Sequence, residues 1–337
     1  MGSRDEFNLP MVDMSLFISG NRLERSRFAD QLRDSLVKHG FVKVINHGIS
    51  DSEVEEVFDW SEKFFQLPID VKNQIVHLPS SNPQRGWSKV GSESTAKLFG
   101  ALSKSGEKID KTDLKEHFDI GAVNESAFPN KWVSESHMPG FRSFLEDFYE
   151  RCHVISMQLL EALAISLAQP AGTFTDMCEQ KANELRLIHY PPTKHSSTAS
   201  DLNRVWPHTD LGIITCLFQD NVGGLEIEDR DRRIFQPVIP GRRSELIVNI
   251  SETMHRWSNG KIPAGIHQVT LPSGYVSKSI TDNEIAVPER YSIPYFVKAD
   301  QNAHVGPLSH FVDDSSPPKF PNMTALEFQM QRLSQAY

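Results

Sequence analysis

The chain has 337 residues, of which 39% are hydrophobic and 23% charged, proportions typical of globular proteins. Its net charge of -9 argues against a nucleic-acid partner, because no basic stripe is available to displace counterions from phosphates. No apolar run approaches the roughly 18 residues that a membrane span requires, so no membrane partner is expected.

The three cysteines, Cys152, Cys178 and Cys216, lie in apolar sequence and are an odd number. This pattern favours buried thiols in a reducing compartment over a disulfide framework. The start of the chain lacks the apolar core of a secretory signal, so a cytoplasmic location is expected. Residues 1–7 resemble a cloning remnant and are set apart from the fold.

The N-terminal region favours helices. A helical period over 21–39 is followed by Gly40 as a stop, and Phe41 to Ile45 is rich in aromatic and β-branched residues, as in a strand. Ser50 with Glu53 forms a capping box that opens the next helix. A short helical turn is expected after Pro68.

Residues 82–113 are irregular and rich in Gly, Ser and Lys, which indicates a long surface loop of a kind that is often functional. Its lysines are interpreted as a solvated face, and they are Lys89, Lys97, Lys104, Lys108 and Lys111. A strand is predicted over 114–120, and a long helix is predicted to start at Pro139 and to end before Pro170.

The second half of the chain changes to short strands between Pro-, Gly- and Asn-rich turns. The predicted strands cover 185–190, 213–218, 224–227, 236–238, 246–250, 267–271 and 291–296. Many short strands at close spacing predict a double-sheet jelly roll or a barrel. We expect an α+β fold with a mainly β core, forming one domain over 8–337: a helical region 8–180, the jelly roll 181–300, and a segment 301–337 with a helix over 324–333.

The tripeptide His208-Thr209-Asp210 stands before the apolar run 211–218. If that stretch is one strand, His208 and Asp210 point the same way and Thr209 turns aside. With 13 His and 44 acidic residues, about two His-x-acid matches are expected by chance, and the chain has two, at His117 and His208. The tripeptide alone therefore carries little weight.

Residues later in the chain support a functional role for the tripeptide. His267 follows the turn 258–260 and begins a predicted strand, so it could join His208 and Asp210 in a 2-His-1-carboxylate metal site with open coordination positions. Arg290 and Ser292 alternate on another strand and could together bind a carboxylate. A zinc hydrolase could also use two His and one Asp, but it gives no reason for Arg290 and Ser292.

Several motifs occur in the order found in one enzyme family. They are Tyr190-Pro191-Pro192, His208-Thr209-Asp210, Gly223-Gly224-Leu225, Ser258-Asn259-Gly260, His267 and Arg290-Tyr291-Ser292, preceded by segments 40–48, 64–68 and 115–121. This set resembles the 2-oxoglutarate/Fe(II)-dependent oxygenases of the isopenicillin N synthase-like family over nearly the whole chain. The resemblance implies a double-stranded β-helix, which is a jelly-roll barrel, supported by N-terminal helices.

The resemblance also implies roles for single residues. His208, Asp210 and His267 would ligate Fe(II), Arg290 and Ser292 would hold the distal carboxylate of 2-oxoglutarate, and Tyr190 could bond near the other end of the cosubstrate. O2 would be consumed, with ascorbate as the reductant. The substrate would be a small organic molecule oxidised at a C–H bond, with hydroxylation as the default over desaturation, epoxidation, ring closure or ring expansion.

The chain departs from the family pattern in three places. Ile188 stands where many members have Asn, which puts a second cosubstrate contact in doubt, and Ser251-Glu252 replaces a common Gly-Asp, interpreted as a turn variation. The stretch between His267 and Arg290 is longer than in plant members, and 274–287 is interpreted as an insert. Similar inserts are familiar in fungal members, which indicates fungal secondary metabolism.

Four residues are further candidates for substrate contact: His117, Phe118, Arg186 and His255. Packing explains His117 and Phe118 nearly as well, Arg186 could equally be a structural ion pair, and His255 could be a partly buried strand histidine. The alternative functions are an Fe(II) oxidase of the same fold that needs no 2-oxoglutarate and a catalytically silent small-molecule binding protein. We expect a monomer or weak dimer.

Overall fold

The computed structural model describes residues 7–97, 112–196, 203–272 and 284–336. The helices in these ranges include α1 (Ser15–Ile18), α2 (Arg22–His39), α3 (Asp51–Phe65), α4 (Ile69–Asn73), α5 (Phe141–Ser166), α6 (Glu252–Trp257) and α7 (Ala325–Ala336). The strands are β1 (Met11–Asp13), β2 (Phe41–Ile45), β3 (Gly86–Ser88), β4 (Glu116–Ile120), β5 (Glu184–Tyr190), β6 (Thr193–Ser196), β7 (Val205–His208), β8 (Ile214–Gln219), β9 (Leu225–Asp229), β10 (Ile234–Pro237), β11 (Leu246–Ile250), β12 (His267–Val269), β13 (Glu284–Val287) and β14 (Arg290–Val297).

Local signals set the ends of the N-terminal helices. Asn21 accepts hydrogen bonds from the backbone N–H groups of Leu23 and Glu24 at the start of α2, and Gly40 ends that helix at φ 77°, a left-handed conformation that favours glycine. Helix α3 opens with the capping box of Ser50 and Glu53. The predictions for both helices and for the strand β2 are therefore confirmed.

The larger sheet has eight strands in the order β1-β2-β11-β8-β14-β5-β4-β3. Side chains alternate between its two faces, as the pleat requires. On β5, Leu185 and Leu187 belong to the main hydrophobic core, whereas Arg186 and Ile188 line an internal cavity. The same alternation on β14 and β8 gives the sheet one apolar face and one face on the cavity.

Helices cover the apolar face of this sheet. Helix α5 packs against α2, and α3 contacts β5 and β14. Aromatic rings fill the junction: Phe64 lies 4.5 Å from Phe118 and 5.5 Å from Phe141 between ring centroids. Phe118 is 0% exposed, so this predicted substrate contact is a core residue.

A four-stranded sheet in the order β10-β9-β12-β7 closes the other side of the cavity, and a two-stranded sheet pairs β13 with β6. Two sheets with a cavity between them form the jelly roll that the strand spacing predicted, and the α+β class is confirmed. The sequence patterns missed β1, β3, β6, β7 and β13. No described helix is long and apolar enough to cross a membrane.

The prediction of a surface loop over 82–113 is wrong for much of its described part. Residues 83–88 are buried and include β3, and Glu93 and Thr95 are buried in the wall of the cavity. Lys89 is exposed, as expected for a solvated face, and Lys97 is half-buried, whereas Lys104, Lys108 and Lys111 lie outside the described residues. Charged residues in this stretch therefore reach the interior of the molecule.

Other expectations concern the edges of the described ranges. Residues 1–6 lie outside them, but Phe7 packs edge-to-face on His39 with ring centroids 5.8 Å apart. Most of the predicted insert at 274–287 also lies outside, and its end forms β13. The three cysteines are buried free thiols, as predicted.

Candidate metal centre and its cavity

The two histidines of the predicted triad face each other across two strands of the four-stranded sheet. His208 is the last residue of β7, His267 is the first of β12, and the two are paired in the antiparallel register. Their ring centroids are 4.2 Å apart. Asp210 follows in the turn between β7 and β8, so the expectation that His208 and Asp210 share one strand is wrong. The chain bends after His208 and brings the carboxylate back to the rings.

The three side chains converge on one point. Asp210 Oδ1 is 3.9 Å from Nε2 of His208 and 3.9 Å from Nε2 of His267, and the ligand atoms all lie within 4.8 Å of one another. Nδ1 of His208 lies 2.8 Å from the Trp206 carbonyl, and Nδ1 of His267 lies 3.3 Å from the Gly265 carbonyl. A carbonyl only accepts, so each Nδ1 carries the proton and each Nε2 keeps its lone pair for a metal.

Asp210 is fixed by two donors. Its Oδ2 accepts hydrogen bonds from Thr215 Oγ1 at 2.7 Å and from Asn249 Nδ2 at 2.9 Å, which leaves Oδ1 toward the histidines. Burial opposes ionisation of this carboxyl, but the neighbouring imidazoles and the two hydrogen bonds outweigh burial and hold its pKa below the ordinary value. Burial, together with the nearby His267, lowers the pKa of His208 to about 3.

The donor set fits Fe(II). Two neutral imidazoles and one carboxylate on one side of a metal leave further coordination positions open for other ligands, as in non-haem Fe(II) oxygenases. The partners of Asp210 and of both Nδ1 atoms orient the ligands in the way that metal sites require.

A buried arginine lines the same cavity. Arg290, on β14, is 1% exposed, and its Nη1 donates to Ser292 Oγ at 3.2 Å. Its Cζ lies 4.7 Å from the centre of the Tyr190 ring, and its Nε has no hydrogen-bond partner within the described ranges. The described residues place no carboxylate within 4.0 Å of this guanidinium, so it can receive an external carboxylate.

The wall around Arg290 is apolar. Ile188, Tyr190, Val205 and Val269 form a separate hydrophobic cluster from β5, β7 and β12, and all line the cavity. Ile188 supplies no hydrogen bond where many members of the family suggested by the sequence have Asn. An apolar surround keeps water from the guanidinium and strengthens its attraction for an anion.

Another part of the cavity is lined by neutral polar side chains and by charged side chains of both signs: Gln84, Glu93, Thr95, Lys115, Glu184, Arg186 and Lys298. Lys115 Nζ is 2.7 Å from Glu93 Oε2, and Arg186 Nη1 is 3.4 Å from the same oxygen. Burial disfavours the charge on Glu93, but Lys115 and Arg186 hold its pKa well below the ordinary value. We call these seven residues the polar wall. The polar wall therefore presents paired charges to the cavity.

The four predicted substrate residues have different positions. Arg186 lines the cavity and also pairs with Asp119, with Nε 2.5 Å from Oδ1. His117 is 1% exposed behind the polar wall, and burial together with Arg186 lowers its pKa well below the ordinary value. His255 lies on helix α6, not on a strand, and packs edge-to-face on Phe320 at 5.1 Å, away from the cavity lining. Phe118 is in the core.

Sequence reasoning missed two groups of cavity residues. Lys115 lay in a predicted strand whose charges do not alternate with apolar residues, and such a pattern is itself a signal of a charged interior. Gln329 and Leu333 come from helix α7, which lies against the cavity. Glu252, interpreted as part of a turn variation, accepts hydrogen bonds from Thr209 Oγ1 at 2.7 Å and from Arg332 Nη2 at 2.9 Å.

Two family models match the sequence. The model for the N-terminal region of non-haem dioxygenases in morphine synthesis matches residues 9–135, and the model for the 2OG-Fe(II) oxygenase superfamily matches residues 182–299. The second match contains the convergent triad, Arg290 and Ser292. Together the two matches cover more than half of the chain.

Individual relatives match over nearly their whole length. The 2-oxoglutarate-dependent dioxygenase phqC of Penicillium fellutanum is 44% identical over 97% of this chain and 94% of its own, and the proline hydroxylase buaE of Petromyces alliaceus is 37% identical over 97% and 98%. Among solved structures, a full-length Neurospora crassa protein in complex with alpha-KG, another name for 2-oxoglutarate, has a TM-score of 0.84 and 28% identity over 99% of this chain and 98% of that one. The same Neurospora crassa protein has also been solved with alpha-KG and thymine.

Proposed function

From the premise that this chain belongs to the 2OG-Fe(II) oxygenase superfamily and is an Fe(II)- and 2-oxoglutarate-dependent dioxygenase, we propose that it hydroxylates a C–H bond of a small polar molecule in fungal secondary metabolism. The observation that carries the proposal is that one cavity contains the convergent triad, Arg290 with Ser292, and the polar wall. Each part has a separate role in the reaction.

His208, Asp210 and His267 hold Fe(II). The free Nε2 atoms and the oriented Oδ1 support this assignment, because these atoms are the donors that the metal needs. When bound, Fe(II) and 2-oxoglutarate with O2 supply an oxidant for the C–H bond, and succinate and CO2 are released. The protein itself binds, orients and shields the reactants.

Arg290 and Ser292 bind the distal carboxylate of 2-oxoglutarate, and Tyr190 packs beside it. The unpaired Nε of Arg290 and the hydroxyl of Ser292 support this role, since a guanidinium with a neighbouring hydroxyl binds a carboxylate through several charge-assisted hydrogen bonds. The apolar cluster around them excludes water.

The polar wall indicates the class of substrate. Its buried charges already have partners, so a substrate that displaces any of them must offer comparable groups, or the wall is left with unpaired charges. A free α-amino acid has a carboxylate for Lys115 or Arg186 and an ammonium group for Glu93. The relative buaE is a proline hydroxylase. We therefore propose an α-amino acid or a close derivative as the substrate.

The test is the formation of succinate by pure protein with Fe(II), 2-oxoglutarate and ascorbate under air, screened against free amino acids, with thymine as the comparison. Stimulation by an amino acid and a product heavier by one oxygen atom are expected, and His208→Ala and Asp210→Ala must abolish both. Oxidation of the substrate without 2-oxoglutarate, or retained activity in these variants, would contradict the proposal.

Glu93→Gln tests the polar wall. Loss of its charge should raise the KM for the amino acid by about tenfold, as expected for a charged hydrogen bond, and leave the KM for 2-oxoglutarate unchanged. Glu116→Gln is the matched control, because Glu116 is also buried and bonded to a lysine, Lys72 at 3.1 Å, but does not line the cavity. Equal effects of the two substitutions would contradict the substrate class.

We also propose a cytoplasmic enzyme that works as a monomer or weak dimer. Buried free thiols support a reducing compartment. Sedimentation of the purified protein at micromolar concentration tests the assembly state, and a stable higher oligomer would contradict it.

A further inference from the structure

Arg204 is a buried arginine close to the proposed cosubstrate pocket. It immediately precedes β7 and is 1% exposed. Its backbone is fixed on both sides: its N–H donates to the Val269 carbonyl at 2.7 Å, and its own carbonyl accepts from the N–H of Leu114 at 2.9 Å. These two bonds fix the backbone from which the side chain projects.

Among the described residues the guanidinium of Arg204 has no carboxylate in ion-pair contact, and Asp220 acts on it only from beyond 4.0 Å. Its Nη2 donates to the Pro288 carbonyl at 2.7 Å, but Nε and Nη1 have no hydrogen-bond partner, and no carboxylate of the described residues lies within 4.0 Å. Burying an unpaired charge is strongly unfavourable. A cation that remains buried in this way raises the positive potential of its surroundings and favours an anion nearby.

A second cation lies beside it. The Cζ atoms of Arg204 and Arg290 lie 5.9 Å and 4.7 Å from the centre of the same Tyr190 ring. Burial and the neighbouring Arg290 lower the pKa of Arg204 to about 10, so it remains charged at neutral pH. Two like charges on one buried ring repel each other, and both an anion bound by Arg290 and the electron-rich face of the ring reduce that repulsion.

We propose that Arg204 is a positioning residue for 2-oxoglutarate: with Tyr190 and Arg290 it creates the positive potential that selects 2-oxo acids with a distal carboxylate. The inference rests on the proposed role of Arg290. Arg204 acts through the Tyr190 ring and through its field on the carboxylate that Arg290 and Ser292 bind. Sequence patterns gave no signal for it, because an isolated arginine before a short strand is ordinary.

The experiment measures binding without turnover. The protein is loaded with Zn(II) in place of Fe(II), and calorimetry gives the Kd of 2-oxoglutarate and of 2-oxopentanoate, which has the same keto-acid end but no distal carboxylate. Arg204→Gln should weaken binding of 2-oxoglutarate by about tenfold or more, as expected for loss of a buried charge interaction, and leave 2-oxopentanoate unchanged. Unchanged binding of 2-oxoglutarate, or equal loss for both acids, overturns the proposal.

Arg256→Gln is the matched control. Arg256 is also buried, donates to the backbone carbonyl of Val305 at 2.9 Å and lies 4.7 Å from an aromatic ring, that of Phe328, but this ring does not line the cavity, whereas Tyr190 does. Its substitution should lower stability without changing either Kd. A similar change in the Kd of 2-oxoglutarate would assign the effect of Arg204 to general destabilisation and overturn the proposal.

Two further variants separate the possible failures. If Arg290→Gln keeps the preference for 2-oxoglutarate, the cosubstrate assignment itself fails. If Arg290→Gln loses this preference and Arg204→Gln does not, only the role of Arg204 fails.

If Arg204→Gln does not fold, Arg204→Lys is tested instead. A buried ammonium group loses its proton more readily than a guanidinium, so this variant should lose 2-oxoglutarate affinity, relative to wild type, from neutral pH to about pH 9.5. If the affinities of Arg204→Lys and of the wild type for 2-oxoglutarate change in parallel over this pH range, the proposal is overturned.

Discussion

Single hydrogen bonds decide which atom of each side chain faces the proposed metal. The carbonyls of Trp206 and Gly265 fix the Nδ1 atoms of the two histidines, and Thr215 and Asn249 fix one oxygen of Asp210. The sequence predicted the three proposed ligands but not these partners. The partners of Asp210 lie on other strands, and only the folded sheets bring them within reach.

Removing one such partner should weaken the metal site. Thr215→Val deletes the hydroxyl that holds Asp210 Oδ2 at 2.7 Å and keeps the shape of the side chain. We expect Fe(II) affinity to fall by about tenfold or more, as is typical when a ligand loses its supporting hydrogen bond. Anaerobic titration with Fe(II) measures it. Thr173→Val, which removes an exposed hydroxyl bonded to the Pro170 carbonyl, is the control, and equal affinities of the two variants would contradict the prediction.

A buried histidine should make stability depend on pH. Burial lowers the pKa of His47 from its ordinary 6.5, and its Nε2 donates to the Ser244 carbonyl at 2.7 Å. The unfolded chain then binds a proton at His47 that the folded chain excludes, so the contribution of His47 to stability is constant above about pH 6.5 and falls as the pH drops below it, by up to about 1.4 kcal/mol per pH unit.

Urea denaturation at several pH values measures this dependence. His47→Gln removes the titrating group and should flatten the fall below about pH 6.5, at the cost of a lower stability at neutral pH. His310, which is exposed, supplies the control His310→Gln. An unchanged slope in His47→Gln would show that other groups dominate the acid response.

At the scale of elements, the sequence predicted long periodic segments well and interrupted ones poorly. Helices α2, α3 and α5 were found because many apolar residues share one face and clear signals mark their ends. Strand β7 was missed because it is four residues long and contains Pro207, which lacks a backbone donor. Without β7, Asp210 was placed on the same strand as His208. His208, Asp210 and His267 nevertheless converge, because the bend after His208 brings the carboxylate back to the rings.

The loop over 82–113 was misjudged for a different reason. Polar composition usually marks a surface, but Gln84 and Glu93 are buried because they have partners on or beside β4 and β5, far away in sequence. A single sequence does not show which distant charges will pair. Burial of ionic groups is therefore the part of a cavity that composition predicts least well.

An ion pair joins helix α7 to the residues next to the proposed metal ligands. Arg332 Nη2 lies 2.9 Å from Glu252 Oε1, and the same oxygen accepts from Thr209, which stands between two proposed ligands. Arg332→Gln leaves Glu252 buried without its cation, which should cost about 3 kcal/mol of stability. Because Gln329 and Leu333 of α7 line the cavity, we also expect more 2-oxoglutarate to be consumed per molecule of product.

The ratio of succinate to product and a urea denaturation curve test this prediction. Arg142→Gln is the matched control, since Arg142 also pairs with a glutamate, Glu146 at 2.8 Å, but on an exposed helix face. An exposed pair contributes below about 1 kcal/mol, so this control should change neither measurement. A wild-type ratio in Arg332→Gln would show that the ion pair does not hold α7 over the cavity.

For the molecule as a whole, the proposed metal joins the two sheets of the jelly roll. His208 and His267 belong to the four-stranded sheet, whereas Asp210 is bonded to Thr215 on β8 and Asn249 on β11 of the eight-stranded sheet. A metal that binds the folded chain alone, at about 100 times its Kd, stabilises it by about 2.7 kcal/mol. Zn(II) should therefore raise the melting temperature, and EDTA should reverse the change. Asp210→Ala should abolish the shift and the exposed control Asp231→Ala should keep it, because only Asp210 connects the metal to the larger sheet. A full shift in Asp210→Ala would place the metal elsewhere.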